Sequence, residues 1–274
     1  MPKPTLTMIA RTFALSVVTL LALSYSQAQD IKSPAGSDSS FKRILAINGM
    51  KLILIDRESK AVVWESAGLQ APLSLSSIPG GDYLVGEKRT IARIDKNGNL
   101  LSRSPAKFQM VNDVKALENG YLLISDGPAK TVIEVDSEGK IVWSVAGLHF
   151  PSEAIRLASG NTMIADGSAV LKEFDSSGKL VRSIALRKWA GAIQSVPEGY
   201  LVGESSAVEL LDNTGRPIWS YAIDSRVTCV QQLAAGEYLL CEPDVGRIVI
   251  MDSAGYVKWE MTGLRYPWHA LYLG

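Results

Sequence analysis

An aspartate that follows an apolar residue recurs six times along this 274-residue chain, at intervals of 37 to 41 residues. These aspartates are Asp56, Asp95, Asp136, Asp175, Asp212 and Asp252. In five of the six units a glycine stands three residues later, at Gly98, Gly139, Gly178, Gly215 and Gly255. An Asp-x-x-Gly segment is typical of a tight turn, because the carboxylate accepts hydrogen bonds from the turn's own backbone and glycine tolerates a positive φ. The spacing therefore divides the chain into six repeats of about 40 residues.

Each repeat contains several short apolar runs separated by turns. A second glycine column precedes runs such as YLVG and YLLIS, and it comprises Gly81, Gly120, Gly160, Gly199 and Gly236. A tryptophan falls in the last run of four repeats, as Trp64, Trp143, Trp219 and Trp259. The runs are rich in Val, Ile, Leu and Tyr and show no sustained helical period, which indicates β-strands. Four strands in each repeat predict one blade, so we expect an all-β, six-bladed β-propeller of four-stranded blades.

The two ends of the repeat array predict how the ring closes. The first repeat, which begins at residue 42, has no innermost strand, and the C-terminal segment GLRYPWHALYLG matches only the start of an inner strand. We expect the C-terminal strand, residues 269–273, to pair with residues 43–47 and complete the first blade. Such closure leaves no exposed sheet edge at the inner side of that blade.

The first 28 residues have the pattern of a secretory signal peptide. Lys3 and Arg11 are basic, residues 13–23 are apolar, and residues 26–28 (Ser-Gln-Ala) form a small-x-small cleavage site. We expect residues 1–28 to be removed, which predicts a periplasmic or secreted protein with no membrane span in the mature chain. An uncleaved anchor is the alternative, because the uncharged stretch is long enough to approach a membrane span. The polar residues 29–41 predict a flexible lead-in, and residues 42–274 form the propeller.

The charge balance argues against a nucleic-acid partner. The chain has 28 basic and 28 acidic residues, and Lys3 and Arg11 are the only charged residues of the signal, so 26 bases face 28 acids after its removal. A near-neutral chain of this kind predicts no basic surface that tracks a phosphate backbone.

Two segments carry a family resemblance. SGNTMIADGSAVLKEFDSSGKLV resembles the repeats of bacterial NHL-type and quinoprotein-like propellers, and LILIDRESKAVVWES is similar to the pyrroloquinoline quinone (PQQ)-like repeat. The resemblance covers about residues 42–274 and implies the architecture rather than one activity. Quinone-dependent dehydrogenases of that superfamily have eight blades and often carry adjacent cysteines. This chain has six repeats and no adjacent pair, so bound PQQ is not expected.

The candidate site lies where the predicted inner strands begin, because propellers hold ligands at that end of the central channel. We call this end the top face. Aligning the inner strands places one residue per blade at the channel mouth: Ser74, Asp113, Glu153, Ala192, Cys229 and His269. The preceding positions hold Leu73, Asn112, Ser152, Gly191, Thr228 and Trp268. The residue type at these positions differs from repeat to repeat, whereas the turn columns keep the same residue. This difference predicts a functional site at the channel mouth. The candidate ligand-binding residues are Asn112, Asp113, Ser152, Glu153, Arg156, Trp268 and His269.

A further column of polar residues ends the second strand of each repeat. Its members are Asn48, Glu87, Asp126, Asp166, Glu204 and Glu242. One interpretation is that these side chains cap the following turn. The other is a negative funnel that attracts cations or amine-bearing ligands to the channel.

Three functions fit these residues. The first is an exported binding or interaction protein that holds a protein, peptide, glycan or small molecule on the top face around Trp189 and Trp268, because the chain has no catalytic motif. The second is a metal-assisted hydrolase or lyase that resembles the six-bladed gluconolactonase-like hydrolases, with Ca²⁺ held in the channel by Asp113 and Glu153. The third is a quinone-dependent redox protein.

The only two cysteines, Cys229 and Cys241, are placed on the two strands of one predicted hairpin. A three-residue loop would put them directly opposite each other, and a four-residue loop would put them on opposite faces. The pair either forms a cross-strand disulfide, which export favours, or packs as two thiols.

Overall fold

The computed structural model describes residues 42–66, 68–233 and 236–274, and these fold into six four-stranded antiparallel sheets. The prediction of an all-β, six-bladed propeller is therefore confirmed. The predicted signal peptide (residues 1–28) and lead-in (residues 29–41) lie outside the described residues. Among the described residues, none forms a helix long and apolar enough to span a membrane.

The blades follow one another in chain order, and each runs from an inner strand at the channel to an outer strand. Blade I combines β1 (Arg43–Asn48), β2 (Lys51–Asp56) and β3 (Val62–Glu65) with β24 (Ala270–Leu273). Blade II comprises β4 (Ser74–Ser77), β5 (Tyr83–Gly86), β6 (Ile91–Ile94) and β7 (Leu100–Arg103). Blade III comprises β8 (Val111–Ala116), β9 (Leu122–Asp126), β10 (Thr131–Val135) and β11 (Ile141–Ala146). Blade IV comprises β12 (Glu153–Arg156), β13 (Thr162–Asp166), β14 (Val170–Phe174) and β15 (Leu180–Ala185). Blade V comprises β16 (Ala190–Val196), β17 (Gly199–Glu204), β18 (Ala207–Asp212) and β19 (Pro217–Ala222). Blade VI comprises β20 (Cys229–Gln232), β21 (Glu237–Glu242), β22 (Arg247–Asp252) and β23 (Val257–Met261).

The C-terminal strand closes the ring as predicted. β24 pairs antiparallel with β1, with Ala270 opposite Ala46 and Leu273 opposite Arg43. One further backbone hydrogen bond, from Ile47 N to His269 O at 2.9 Å, extends this pairing by one residue. The first and last parts of the chain therefore share one sheet.

The Asp-x-x-Gly turns form as expected. In blade II the Asp95 carboxylate accepts the backbone N–H groups of Asn97 and Asn99 at 2.9 and 2.8 Å. Gly98 in that turn has a φ of +89°, and a methyl group there would lie 2.6 Å from the Trp64 ring of the preceding blade. Glycine is thus required both by the backbone conformation and by the close approach of the neighbouring blade.

Three of the four outer-strand tryptophans, Trp143, Trp219 and Trp259, donate a hydrogen bond to the next blade. The Trp143 indole donates a hydrogen bond to Asp175 O at 3.1 Å, which links blade III to the turn of blade IV. Trp259 donates to Arg57 O at 2.7 Å and so links blade VI back to blade I. The predicted placement of these tryptophans in outer strands is confirmed, and the structure adds their role between blades.

The hydrophobic core lies between the faces of neighbouring blades. One buried cluster joins Ile44 and Ile53 of blade I to Leu239 and Ile248 of blade VI. Each interface between blades is built in this way from alternating apolar residues, so the six blades bury their faces against each other rather than around one central core.

The two cysteines lie directly opposite each other in blade VI. Cys229 on β20 pairs with Cys241 on β21, and the Leu233 N–H donates to Glu237 O at 2.8 Å, which leaves three residues in the loop. Both are free, buried thiols, and Cys229 Sγ donates to Ala270 O at 3.1 Å. This register would permit a disulfide, but in the structure the two cysteines pack as thiols.

We expect alkylation in denaturant without reductant to label both Cys229 and Cys241. In the folded protein, burial raises the pKa of the Cys241 thiol. Little of the thiolate that disulfide formation requires is therefore present at neutral pH. Intact-mass measurement before and after reduction gives the answer. An unlabelled protein two mass units lighter than the dithiol would show instead that the protein carries the disulfide.

Candidate functional site

Six of the seven predicted site residues meet in one pocket at the mouth of the channel. Asn112, Asp113, Ser152, Glu153, Trp268 and His269 all line a cavity of about 110 Å³. Its apolar rim comprises Leu73, Met110, Phe150, Trp189 and Trp268. The inner strands begin here, and the loops that lead into the inner strands of five blades supply the rim.

Sequence reasoning missed two of the rim residues. Met110 directly precedes β8, and Phe150 lies in the loop before β12. The sequence feature that could have identified them is an apolar side chain in the loop that leads into an inner strand. The same feature occurs at Trp189, which directly precedes β16.

Arg156 is the one predicted site residue that the structure does not bring to the mouth. It ends β12, its guanidinium pairs with Glu134 and donates to Gly160 O at 2.9 Å, and it lies 5.6 Å from the centre of the Trp143 ring. The inner strand carries its first residues to the mouth and its last residues away from it. We therefore remove Arg156 from the candidate site.

Several mouth side chains also hold neighbouring blades together. They donate hydrogen bonds across the interface, from Asn112 Nδ2 to Pro151 O at 3.0 Å, from Ser152 Oγ to Ala190 O at 2.7 Å, and from Thr228 Oγ1 to Trp268 O at 2.8 Å. Glu153 Oε2 accepts the Ile193 N–H at 2.9 Å in the same manner. The walls of the pocket are therefore fixed by contacts between blades, which preorganises the site.

A partly exposed lysine lies beside the acidic side chains at the base of the pocket. Lys115 Nζ on β8 is 2.5 Å from Glu153 Oε1 and 3.5 Å from Asp113 Oδ1. Burial would lower the pKa of Lys115, but the two carboxylates outweigh it and hold that pKa well above its ordinary value. Lys115 is therefore a permanent cation that neutralises one of the two carboxylates.

Asp113 and His269 are incompletely satisfied. Burial raises the pKa of Asp113 to about 7, and the neighbouring Glu153 charge acts in the same direction against the attraction of Lys115. Burial and the Lys115 charge lower the pKa of His269 well below its ordinary value, so the imidazole is neutral at pH 7. Asp113 Oδ1 and His269 Nδ1 are both buried and have no hydrogen-bond partner among the described residues.

These residues do not fit the predicted calcium site. Asp113 and Glu153 are close together, but the Lys115 ammonium already lies at hydrogen-bonding distance from Glu153. Lys115 also cancels one of the two carboxylate charges, so the group offers a divalent cation a net charge of only −1. Within the described ranges, moreover, no three Asp, Glu, His or Cys side chains are placed to hold a metal ion.

The polar column at the end of the second strands has a structural role. Its five acids are almost fully buried, and the column holds the loop that leads into the inner strand of its own blade. Asp166, for example, accepts the backbone N–H groups of His149 and Phe150 at 2.9 Å and pairs with Lys172 at 2.7 Å. Asn48 accepts the Arg265 N–H at 2.7 Å. The capping interpretation therefore describes this column better than the open negative funnel does. Most of these side chains cap the loop before the inner strand, however, rather than the turn after the second strand.

Blade V departs from this pattern. Glu204 has Glu209 as its neighbour, whereas blade IV has Lys172 beside Asp166. Burial first, and the Glu209 charge second, raise the pKa of Glu204 to about 6, and its Oε1 is buried without a hydrogen-bond partner among the described residues. The counter-charge is Arg187, which lies 3.5 Å from Glu209 and is 68% exposed.

We expect Glu204→Gln to stabilise the protein at pH 8 by roughly 1–2 kcal/mol. The folded-state pKa of Glu204 is above that of the unfolded chain, so the wild-type protein loses stability as the pH rises through 6. The gain should therefore vanish near pH 3.5, about one unit below the ordinary pKa of 4.5, where the carboxyl is largely protonated in both states. Urea melts at the two pH values measure it. Glu87→Gln is the matched control, because Glu87 pairs with Arg103 at 2.6 Å and its neutralisation should destabilise.

A second, more open groove adjoins the mouth pocket on the top face. It has a volume of about 660 Å³ and shares Leu73 and Trp268 with the mouth pocket. Met50 and Tyr266 also line it, and their side chains are exposed. The groove therefore extends the apolar rim outward between blades I and II.

Comparison with solved structures supports the fold. A Bacteroides caccae protein of unknown function is similar with a TM-score of 0.71 at 17% identity, over 85% of this chain and 99% of that one. The WD40 β-propeller domain of Doa1 is similar with a TM-score of 0.62 at 16% identity, over 84% of this chain and 82% of that one. Virginiamycin B lyase from Staphylococcus aureus is similar with a TM-score of 0.56 at 13% identity, over 70% of each chain. No protein-family model matches the chain, and no curated protein matches it in sequence. At these identities the similarity shows that the chain has a β-propeller fold.

Proposed function

We propose that this chain is an exported binding protein that holds a ligand in the pocket at the channel mouth. The observation that carries the proposal is that two buried polar atoms beside an apolar-rimmed cavity, Asp113 Oδ1 and His269 Nδ1, have no hydrogen-bond partner among the described residues. Buried polar atoms in proteins almost always have a hydrogen-bond partner. A bound ligand would supply that partner.

The surroundings of these atoms match a small-molecule or side-chain site. Ligand pockets are mostly apolar with a few convergent polar groups, and the mouth pocket has three aromatic side chains in its rim and polar groups at its base. The adjoining groove provides room for the rest of a larger ligand, such as a peptide or glycan.

A thermal-shift screen of peptides, saccharides and small organic molecules tests the proposal. We expect compounds that raise the melting temperature of the wild-type protein to lose that effect in Trp189→Leu, because Trp189 lines the mouth pocket. Tyr256→Leu is the control, since Tyr256 is 70% exposed and does not line the pocket. Ligands that stabilise both variants as they do the wild type would place the binding site elsewhere.

A lyase activity at the same pocket is the second candidate. Its supporting observation is a carboxyl group, Asp113, whose pKa is about 7, in one pocket with the neutral imidazole of His269. Such a pair can donate and accept a proton near neutral pH. Two structural neighbours are a virginiamycin B lyase and a streptogramin B lyase. Incubation with virginiamycin B, followed by liquid chromatography and mass spectrometry, should then yield a product that the His269→Ala variant does not form.

We also propose that the repeats are of the NHL or quinoprotein-like type and that the chain acts in the periplasm or outside the cell. The support is the sequence of the repeats and the signal-like residues 1–28. Expression in a bacterial host with cell fractionation and N-terminal sequencing should recover a mature protein that starts at Gln29. A membrane-bound protein with an intact N-terminus would show an anchor instead.

A further inference from the structure

On the basis of this proposed function, we propose that the mouth pocket binds a primary ammonium group, with Asp113 and His269 as its hydrogen-bond acceptors. The ammonium would lie at the base of the cavity, and the slim aliphatic stem that carries it would pass between the aromatic side chains of the rim. Two sources share this chemistry: a free alkylamine and the side chain of a peptidyl lysine.

Asp113 is the first acceptor. It is 2% exposed, yet its two oxygens make only long contacts, from Oδ2 to Ala154 N at 3.4 Å and from Oδ1 to Lys115 Nζ at 3.5 Å. Charged hydrogen bonds to carboxylates are normally about 2.7–2.9 Å long. Asp113 Oδ1 therefore retains most of its capacity to accept a bond from a donor in the cavity.

His269 is the second acceptor. It is 7% exposed, lines the same cavity, and its Nδ1 has no hydrogen-bond partner among the described residues. A neutral imidazole always has one nitrogen that accepts a hydrogen bond. The pocket thus presents two acceptors, and a group with several N–H donors is complementary to them.

The charges at the base of the pocket favour a cation over an anion. Asp113 and Glu153 carry two carboxylates when ionised, and Lys115 supplies one positive charge. The nearby Arg226, which lies 5.1 Å from the centre of the Trp268 ring, is bound by the Asp244 carboxylate at 2.5 and 2.8 Å. The net charge of the base is therefore −1, and one ammonium would neutralise it.

The rim suits an ammonium on a narrow stem. Phe150, Trp189 and Trp268 line a cavity of only about 110 Å³, which admits an alkyl chain more readily than a bulky ring. Aromatic rings also attract ammonium groups through their π-electrons, and this attraction strengthens where water is excluded. Glu153 and Lys115 hold the base of the pocket in place from two neighbouring inner strands.

The test compares three probes of equal length on the full chain: butylammonium, butan-1-ol and butanoate. We expect ligand-observed NMR to detect only butylammonium, at millimolar concentration. Asp113→Asn should weaken its binding at least about tenfold while leaving the fold intact, because asparagine keeps the shape and the bond from Ala154. Asp224→Asn removes the same charge from an exposed position and should leave the affinity unchanged.

The wild-type protein provides a second measurement that needs no variant. An ionised Asp113 is required to accept the ammonium, so the affinity should rise as the pH passes through about 7 and level off above that range. The other ionisable groups around the pocket are Lys115 on β8, Glu153 on β12 and His269 before β24. Lys115 keeps its charge and His269 stays neutral through this range, so neither reverses the expected trend.

The two sources are separated by titrating cadaverine against Nα-acetyl-lysine N-methylamide. Tighter binding of the lysine derivative would assign the site to peptidyl lysine, and tighter binding of cadaverine would assign it to free amines. Equal binding of butan-1-ol and butylammonium, or unchanged affinity in Asp113→Asn, would overturn the ammonium proposal. If the screen then finds a neutral or anionic ligand that requires Trp189, the binding function stands, and if it finds none at the mouth, both proposals fail.

Discussion

Deletion of residues 267–274 is expected to abolish cooperative folding of the propeller. The deletion removes β24, which pairs with β1 and packs Ala270 into the core between blades I and VI. It also removes the Tyr272 N–H that donates to Gln231 at 2.8 Å. We expect the loss to rival the whole stability of a domain, about 5–15 kcal/mol, because a sheet edge and two blade faces become exposed at once. Solubility and thermal melting by circular dichroism measure it.

A circular permutant is the control for that deletion. Leu273 lies opposite Arg43, so the end of β24 is beside the start of β1. A short glycine-rich linker can therefore join residue 274 to residue 42, with new ends opened in the exposed turn around Gly178. This permutant should fold and melt near the full-length protein. A truncated protein that remains soluble and melts like the full-length chain would contradict the closure of the ring by β24.

Lys115→Met is expected to cost about 3–5 kcal/mol at pH 8, the range for a buried ion pair that loses one partner. The substitution leaves Asp113 and Glu153, which are 2% and 6% exposed, without their shared cation. Loss of the Lys115 charge should raise the folded-state pKa of Asp113 further above its ordinary value, which it already exceeds in the wild-type protein. The penalty is therefore complete above the raised pKa and shrinks as the pH falls and the Asp113 carboxyl is protonated.

Urea melts at pH 8 and pH 5 measure this effect. Adding Asp113→Asn and Glu153→Gln to Lys115→Met should recover much of the lost stability, because no unpaired charge remains. Lys88→Met is the control, since Lys88 is exposed and its loss should change stability by less than about 0.5 kcal/mol. A Lys115→Met protein as stable as the wild type at pH 8 would show that the three groups do not interact as the distances indicate.

The fold was predictable because its signals are local and repeated. Each Asp-x-x-Gly turn specifies a hairpin by its own backbone chemistry, so the six aspartates gave the blade count without knowledge of any neighbour. The closing strand was predictable from the same repeat pattern, because the first repeat lacks an inner strand and the C-terminal segment matches only the start of one. The candidate site was predictable to a lesser degree, since alignment of the inner strands located nine of the twelve residues that line it. Arg156, a candidate from outside the aligned columns, ends the strand that Glu153 begins and lies away from the mouth.

What the sequence by itself determined is therefore the periodic part of the molecule: strand order, turns, blade number and the position of the mouth. Only the tertiary structure decided the chemistry at the mouth. Lys115, Glu153 and His269 come together from three inner strands that are widely separated in the chain, and no local pattern encodes their distances. The same holds for the buried acids such as Asp166, whose loop contacts depend on how each blade folds back on itself. Turn chemistry acts between neighbours in sequence, whereas burial and pairing of charges depend on the packing of separate strands. Among the described residues, that packing leaves Asp113 Oδ1 and His269 Nδ1 without a hydrogen-bond partner.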